Sequence, residues 1–360
     1  MTVAGLLSDL ATVQTSVQRH WGYRRAARAI RALEESLEDL IEPDGTLRKI
    51  SGIGPASLRV IEEVLRTGAS EWVEKAVEES PKRDEVAKRR ALRSHFLSRA
   101  RVREVLEDRA LSEPRRSDYR GDLQMHSTWS DGSQSLPDVV ETALARGYAF
   151  SAVTDHSAGL PIAKGVSAER FVEQRREIDQ LNETYRKRFR LLKGVEANIK
   201  ADGAVDVPPS ERRDFDLVVA APHSSLRKPD PQTERLLRAV ATPGIHILGH
   251  PRGRIYGSRP GITADWSQVF AAAAEAGVAI EIDGDPFRQD VDYVLAREAI
   301  EAGCLFALDS DAHAVDQWWY AEIAIAHARL AGVPTTRIIN CWPIDRLLDW
   351  ARRRRNQDPR

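Results

Sequence analysis

From residue 119 onward, short apolar runs alternate with longer amphipathic segments. Runs such as 149–154, 217–222 and 305–308 are rich in Val, Leu and Ala, and stretches with apolar residues at helical spacing follow them. This alternation is typical of repeated βαβ units and a parallel sheet. Seven such runs, counting the one that ends at His126, predict the α/β fold class and favour a seven-stranded (β/α) barrel over an open sheet.

The chain before residue 119 is predicted to be helical throughout. An amphipathic helix begins near Gly22, a Pro-Asp-Gly turn follows at 43–45, and a second helix begins at Pro55 and ends at Gly68. Charged residues dominate 81–118, which predicts a solvated helical connector. We therefore expect a small all-α domain over 1–80, a helical connector over 81–118 and the barrel over 119–360.

The turn before the second helix carries a Gly-Ile-Gly sequence. Such a turn lets the backbone N–H groups of Gly52, Ile53, Gly54 and Ala56 approach a phosphate group at the start of a helix. This arrangement resembles a helix-hairpin-helix, which binds the DNA backbone without regard to sequence. A tight helix–helix turn with no ligand explains the same residues equally well.

Composition narrows the range of functions. The chain has 360 residues, 42% of them hydrophobic, and a formal net charge of −1, so any contact with a polyanion must be local. Its two cysteines, Cys304 and Cys341, lack metal-type spacing, which fits a reduced cytosolic protein. We see no signal peptide and no apolar stretch near the ~20 residues that span a bilayer, and we expect a cytoplasmic protein without membrane contact.

The predicted strands end in residues that bind metal ions. Five of the nine histidines lie at such ends, together with a glutamate and several aspartates. In a parallel barrel these ends converge on one face, so residues far apart in sequence would meet in one pocket. A single strand-end histidine is more often structural, but this many together indicate a polynuclear metal centre. Paired divalent ions stabilise attacking and leaving oxygens in phosphoryl displacement, so the cluster predicts hydrolysis of phosphate esters.

Residues 119–350 resemble the PHP (polymerase and histidinol phosphatase) domain, in the form found in bacterial family X DNA polymerases. The resemblance implies a distorted seven-stranded barrel, two to three divalent ions of zinc, manganese or iron, and phosphoesterase activity, commonly 3′–5′ exonuclease or phosphomonoesterase. The matching motifs are Gly-Asp-Leu-Gln-Met-His-Ser at 121–127, Ser-Asp-Gly at 130–132, Thr-Asp-His-Ser at 154–157, Gly-Val-Glu at 194–196, Pro-His-Ser at 222–224, Gly-His-Pro-Arg-Gly-Arg at 249–254, Glu-Ile-Asp-Gly at 281–284 and Asp-Ala-His at 311–313.

Carried over residue by residue, the family pattern implies three ion sites. The first comprises Gln124, His126, Glu196 and Asp311, the second Glu196, His223 and His250, and the third Asp131, His156 and His313. Gln124 departs from the pattern, since the family usually has histidine there. A neutral amide is a poorer ligand than an imidazole, so we expect a weaker first ion that depends more on a hard metal such as manganese.

The amino-terminal part resembles the small helical domain of family X polymerases. Two features of those relatives are missing. Val60 stands where relatives with deoxyribose-phosphate lyase activity have a Schiff-base lysine, and residues 82–118 leave no room for a polymerase palm. We therefore expect a DNA-anchoring module joined directly to a PHP hydrolase, without polymerase or lyase activity.

Other residues have a chemical and a structural interpretation. We assign catalytic roles to Glu196 and His223, and to Arg252 and Arg254, which could bind a phosphate bidentately or be solvated loop arginines. Arg288 is a further phosphate-binding candidate.

Three functions remain open. The chain is a metal-dependent phosphoesterase acting on DNA ends as a 3′–5′ exonuclease, a phosphomonoesterase of the histidinol-phosphatase type with a phosphorylated small molecule as substrate, or a non-catalytic DNA-binding protein with a partly degenerate metal site.

Overall fold

The computed structural model describes residues 2–356, and the chain divides into two compact units. The first runs through Glu107 and includes Tyr256–Ser258, and the second comprises Asp108–Ile255 and Arg259 onward. No helix within residues 2–356 is both long enough and apolar enough to cross a membrane.

Six α-helices form the described part of the first unit, and the apolar faces of the first five share one core. Val60 is fully buried in that core, and so is Ile61 beside it. The Ser16 hydroxyl caps the second helix by accepting a hydrogen bond from the Arg19 N–H, and Gly68 ends the third helix in the left-handed conformation. The helices are α1 (Thr2–Val13), α2 (Val17–Arg31), α3 (Pro55–Thr67), α4 (Glu71–Glu78), α5 (Arg83–Ala91) and α6 (Arg99–Glu107).

The second unit is built from βα repeats. The strands are β1 (Phe150–Val153), β2 (Arg190–Asn198), β3 (Leu217–Ala221), β4 (Ile247–Leu248), β5 (Ala279–Asp283) and β6 (Leu305–Asp309). The helices are α7 (Leu136–Ala145), α8 (Ala168–Tyr185), α9 (Pro209–Arg212), α10 (Thr233–Val240), α11 (Trp266–Ala276), α12 (Tyr293–Glu301), α13 (Tyr320–Ala331) and α14 (Ile344–Arg355). All strands are parallel and neighbour each other in chain order, as a barrel requires, which confirms the α/β prediction.

The prediction of seven strands is wrong by one, because the described residues form six. The missing strand is the run that ends at His126, where the strand pairing is limited to an isolated bridge between Met125 and Ala312. Two buried carboxylates take the place of ladder carbonyls there: Asp309 Oδ1 accepts a hydrogen bond from the Leu123 N–H (2.9 Å), and Asp122 Oδ1 accepts one from Ser310 N–H (3.2 Å). A regular ladder cannot form where side chains hold the backbone donors.

The segment 121–126 nevertheless lies between the first and the last strand. The Met125 carbonyl accepts a hydrogen bond from the Thr154 N–H (2.8 Å) on the β1 side, and the His126 N–H donates to the Ala312 carbonyl (2.9 Å) on the β6 side. The irregular segment therefore joins the two sheet edges and brings the first predicted ligands beside the last.

An apolar layer fills the barrel below the strand ends. Leu192, Leu217 and Ile247 contribute to it from consecutive strands, and Leu347 and Trp350 of α14 pack against them. Residues two apart on a strand share a face, so Glu196, four positions after Leu192, points to the same interior. The polar centre thus lies above an apolar floor at the carboxyl ends of the strands.

Candidate metal centre

The predicted ligands meet at the carboxyl ends of the strands in three overlapping groups. Within each group the ligand atoms lie within 4.8 Å of one another. The groups are His126, Glu196 and Asp311; His156, Glu196 and His223; and His126, Asp131, His156 and His313. The first group contains the first implied set without Gln124, and the third group contains the third implied set together with His126. The second group has His156 where the resemblance implied His250.

Glu196 lies at the centre of the histidines. Its Oε1 is 3.1 Å from His223 Nε2 and 3.0 Å from His250 Nε2, and its Oε2 is 3.2 Å from His126 Nε2 and 3.3 Å from His156 Nδ1. Burial alone would raise the pKa of this carboxyl, but the surrounding histidines hold it well below its usual range. Glu196 is therefore a buried anion shared by four imidazoles.

The rest of the centre extends from this carboxylate on both sides. His126 Nε2 also lies 3.0 Å from Asp311 Oδ1, while Asp131 Oδ1 lies 3.7 Å from His156 Nε2 and 3.5 Å from His313 Nε2. Burial alone would lower the pKa of His126, yet the Asp311 and Glu196 carboxylates raise it well above its usual value. Burial lowers the pKa of His156 to about 3, so this imidazole is neutral at physiological pH.

The donor set fits divalent cations, and His223 gives the clearest reason. Asn198 Nδ2 lies 2.7 Å from Asp206 Oδ2, which orients the amide so that its Oδ1 accepts a hydrogen bond from His223 Nδ1 (2.7 Å). In the neutral imidazole, Nε2 then carries a lone pair and faces the Glu196 carboxylate. Two acceptors at this distance repel each other unless a proton or a cation interacts with both.

His313 repeats this arrangement. Its Nδ1 is 2.8 Å from the Asp311 carbonyl, which can only accept a hydrogen bond. In the neutral imidazole, the Nε2 lone pair would therefore face Asp131. Within residues 2–356, other buried atoms of the centre have no hydrogen-bond partner, including His126 Nδ1 and His250 Nδ1. His250 and Asp311 also have positive φ angles of 22° and 52°, the kind of backbone strain that persists at functional sites.

Gln124 belongs to the wall of this centre but makes no polar side-chain contact in the described structure. Its backbone carbonyl accepts a hydrogen bond from the Asp311 N–H (3.1 Å), and the residue is fully buried. Neither its Oε1 nor its Nε2 has a partner among residues 2–356. A buried amide without partners is costly, so the carbonyl oxygen is available as a hard ligand.

Several residues that orient the ligands were missed by the sequence reasoning. Asn198 could have been found, because it follows Glu196 by two positions on the same strand face. Glu281 Oε2 accepts a hydrogen bond from the His250 N–H (2.6 Å), and Asp155 accepts from the N–H and hydroxyl of Ser127 (2.8 and 2.6 Å). Glu281 and Asp155 lie within two of the matching motifs, at 281–284 and 154–157, but a motif alone does not show which ligand each carboxylate orients.

Arg252 and Arg254 have partners away from the ligand groups. Arg252 Nε donates to Asp290 Oδ1 (2.9 Å), and its Nη2 donates to Asp292 Oδ2 (2.8 Å). Arg254 Nη1 lies 3.0 Å from the same Asp292 carboxylate. Burial opposes the charge of Arg252, but the two aspartates raise its pKa above the usual value. These ion pairs hold the loop after His250, and the predicted catalytic role of both arginines stays a prediction.

Arg288 is the arginine that contacts a predicted ligand. Its Nη1 donates to Asp311 Oδ2 (2.6 Å) and lies 3.6 Å from Asp283 Oδ2, while its side chain keeps 26% exposure. Burial alone would raise the pKa of Asp311, yet the Arg288 charge holds it far below its usual range. A partly exposed guanidinium thus lies at the edge of the centre.

The helical unit presents its predicted backbone-binding turn on the surface. Gly52 has a φ of 83°, Gly54 caps α3, and both are exposed together with Ala56, whereas Ile53 is half-buried against the core. The helix α2 contains no acidic residue and carries several exposed arginines. On it, Trp21 is 53% exposed, and the Arg24 guanidinium lies 5.3 Å from its ring centroid.

Comparison with known proteins identifies relatives of both units. Residues 2–70 match the family model of a helix-hairpin-helix domain. The chain is 36% identical over 222 residues to the DNA polymerase/3′-5′ exonuclease PolX of Bacillus subtilis, which covers 61% of this chain but only 39% of that protein. It is 30% identical over 250 residues to a protein named probable phosphatase in Edwardsiella ictaluri, covering 66% of this chain and 95% of that one.

Among solved structures, the histidinol phosphate phosphatase of Lactococcus lactis, solved with zinc, L-histidinol and phosphate, aligns with 59% of this chain and 92% of its own. The sequence identity is 19% and the TM-score 0.43. The relative from Edwardsiella ictaluri is matched over 95% of its length at 30% identity, so the similarity is not confined to the short motifs. The chain belongs to the PHP family and carries a helix-hairpin-helix domain in its amino-terminal part.

Proposed function

We propose that the protein is a metal-dependent phosphoesterase that hydrolyses phosphodiester bonds at DNA ends, as a 3′–5′ exonuclease does. The observation that carries the proposal is the shared Glu196 carboxylate, which faces four histidine nitrogens at 3.0–3.3 Å. Overlapping ligand groups of this kind suit adjacent divalent ions. When bound, such ions lower the pKa of water and stabilise negative charge on a phosphoryl group.

The three ligand groups indicate which residues of this chain would hold the ions. Glu196 belongs to two groups, and its two carboxylate oxygens could serve neighbouring ions. His126 and His156 are also within reach of two groups, but each ring nitrogen would bind one ion, and Asp131, His223, Asp311 and His313 would complete the groups. The Gln124 carbonyl oxygen would add a neutral ligand beside Asp311. Asn198 keeps the His223 proton on Nδ1, so that Nε2 stays available to an ion.

Arg288 would bind the phosphate that reacts. Its Nη1 donates to Asp311, and the planar guanidinium has further N–H donors for non-bridging oxygens. These donors are fixed before the substrate arrives, which favours stabilisation of charge that grows in the transition state.

The DNA preference rests on the helical unit and on PolX as a relative. Measurement of metal content, followed by assays with Mn²⁺ on 3′- and 5′-labelled single- and double-stranded DNA, tests it directly. We expect stepwise release of nucleotides from the 3′ end that a chelator abolishes. Metal-loaded protein that leaves both DNA and phosphomonoesters intact would contradict the proposed activity.

The contribution of the helix-hairpin-helix can be tested at Gly54. Its φ is −95°, and a Cβ added there meets no atom within 4 Å, so Gly54→Asp should fold well and even cap α3. The new carboxylate would repel a DNA phosphate, and we expect roughly tenfold weaker binding to DNA at low salt. Gly54→Asn has the same shape without the charge and serves as the control.

A phosphomonoesterase is the second candidate. The relative in Edwardsiella ictaluri is named probable phosphatase and is matched over 95% of its length. This similarity supports a phosphorylated small molecule as the substrate. This candidate predicts turnover of phosphomonoesters that Gly54→Asp does not change, together with no processing of DNA ends.

A further inference from the structure

A cavity of about 540 Å³ adjoins the metal centre at His223. Its wall also contains Ser225, Leu226 and the cations Arg227, Lys228 and Arg259. Among the described residues, those that line the cavity include no aspartate or glutamate. Since His223 Nε2 is 3.1 Å from Glu196, a ligand in this cavity would be continuous with a substrate at the centre.

The cations continue from the centre into the cavity. Arg259 is half-buried, and its Nε donates to the Gly253 carbonyl (2.6 Å), which fixes the side chain. Burial lowers the pKa of Arg259, and the charges of Arg288 and Arg227 lower it further, although Asp290 opposes them. Arg288 and Arg227 are therefore each near enough to Arg259 to repel its charge, and an anionic ligand beside Arg259 would offset that repulsion.

The loop that carries Arg227 and Lys228 is held in place. Ser225 has a φ of 58°, and its carbonyl accepts a hydrogen bond from Gln232 Nε2 (2.8 Å). The buried Arg235 donates to the Ser224 carbonyl (2.9 Å) and to the Lys200 carbonyl (2.8 Å). The loop is thus built before any ligand binds, which reduces the entropic cost of binding.

We propose that this cavity binds the phosphodiester group next to the one that reacts at the metal centre. The inference rests on the proposed function, and it makes an oligonucleotide the substrate class. A phosphomonoester brings a single phosphate, which the centre itself would hold. A nucleotide chain with a second phosphate can place an anion beside Arg227, Lys228 and Arg259 while the first phosphate lies at the ions.

The test compares thymidine trinucleotide, with two diester bonds, against the dinucleotide, with one. In the full-length, Mn²⁺-loaded protein we expect kcat/KM to favour the trinucleotide by about tenfold, the usual effect of a charge-assisted hydrogen bond. The double variant Arg227→Ala/Lys228→Ala should bring the ratio close to one. Lys187→Ala serves as the control, because this exposed lysine precedes β2 and so lies at the opposite, amino end of the strands; its ratio should equal that of the wild type.

A double variant that keeps the trinucleotide preference, or that loses activity on both substrates in proportion, would overturn the proposal. Binding of the uncleaved trinucleotide, measured by calorimetry in the presence of chelator, separates this inference from the proposed function. If the wild type hydrolyses no phosphoester but binds the trinucleotide about tenfold more tightly than the double variant does, the cavity proposal stands and the proposed activity fails. If hydrolysis is normal and both proteins bind equally, the reverse holds.

Discussion

Replacing Gln124 with methionine separates a structural amide from a metal ligand. Methionine has nearly the same length and flexibility but lacks the two polar atoms, which find no partner within residues 2–356. Each buried amide atom without a hydrogen bond destabilises the wild type by about 1–3 kcal/mol. Imperfect packing of the methionine thioether should destabilise the variant by less than about 1.5 kcal/mol. The two atoms together cost about 2–6 kcal/mol, so in the metal-free protein we expect a net gain of at least about 0.5 kcal/mol, and up to about 6 kcal/mol, in the free energy of unfolding.

Thermal unfolding in chelator measures this gain. For a unit of this size, 1 kcal/mol shifts Tm by about 2–4 °C, so Gln124→Met should raise Tm by several degrees. With Mn²⁺ the order should change, because the variant has lost a hard oxygen ligand and should gain less stability from the ion. Gln124→His is the matched comparison, and it should increase metal content.

Two results would refute this reasoning. A lower Tm of Gln124→Met in chelator would mean that the amide has good partners in solution. Equal stabilisation of wild type and Gln124→Met by Mn²⁺, with equal metal content, would mean that the carbonyl oxygen does not bind an ion.

Four further substitutions test other parts of the structure. Glu196→Gln keeps the shape but removes the shared charge, and it should lower metal content and reduce turnover by about 10³-fold or more; near-normal turnover would refute the site. Arg252→Ala breaks a buried ion pair and should cost about 3–5 kcal/mol in urea unfolding, whereas a purely catalytic arginine would lower kcat without changing stability. Asn340→Ala removes an amide that bonds the Leu308 backbone on both sides and Asp309 Oδ1 at 2.8–2.9 Å, and we expect a loss of about 3 kcal/mol by the same measurement. Burial and a neighbouring carboxylate raise the pKa of Asp122 to about 8, so its folded-state proton stabilises the protein at low pH, and that contribution is lost as pH rises from about 4 to about 8. Asp122→Asn should therefore match the wild type near pH 4 in chelator and exceed its Tm at pH 8; equal Tm values at pH 8 would contradict the raised pKa.

The convergence of the ligands could be predicted because it follows from local patterns and one topological rule. Strands that alternate with helices run parallel, and the residues after parallel strands meet at one end. His223 and Glu196 are far apart in sequence, yet the pattern alone brought them together. The same reasoning could have predicted Asn198, because it lies two positions after Glu196 on one strand and its side chain therefore lies on the same face.

The missing first strand could not be predicted from residue preferences. The run before His126 has the apolar character of a strand, but Asp122 and Asp309 hydrogen-bond to backbone N–H groups and replace ladder partners. Whether a carboxylate points into a ladder depends on residues nearly 190 positions away. The partners of Arg252 could not be predicted either, because Asp290 and Asp292 are distant in sequence and contact it only in the folded barrel.

The irregular closure has a consequence for the metal centre. A regular strand would bind its neighbours through backbone groups alone, and its side chains would alternate between the barrel interior and the helices. Here the closing segment is held by buried carboxylates whose pKa values are raised, to about 8 for Asp122 and about 6 for Asp309, with burial as the main cause. Gln124 and His126 belong to this segment, while Asp311 follows the other edge strand. Cations bound between those residues would offset the negative charge that burial penalises, so metal binding and barrel closure should stabilise each other.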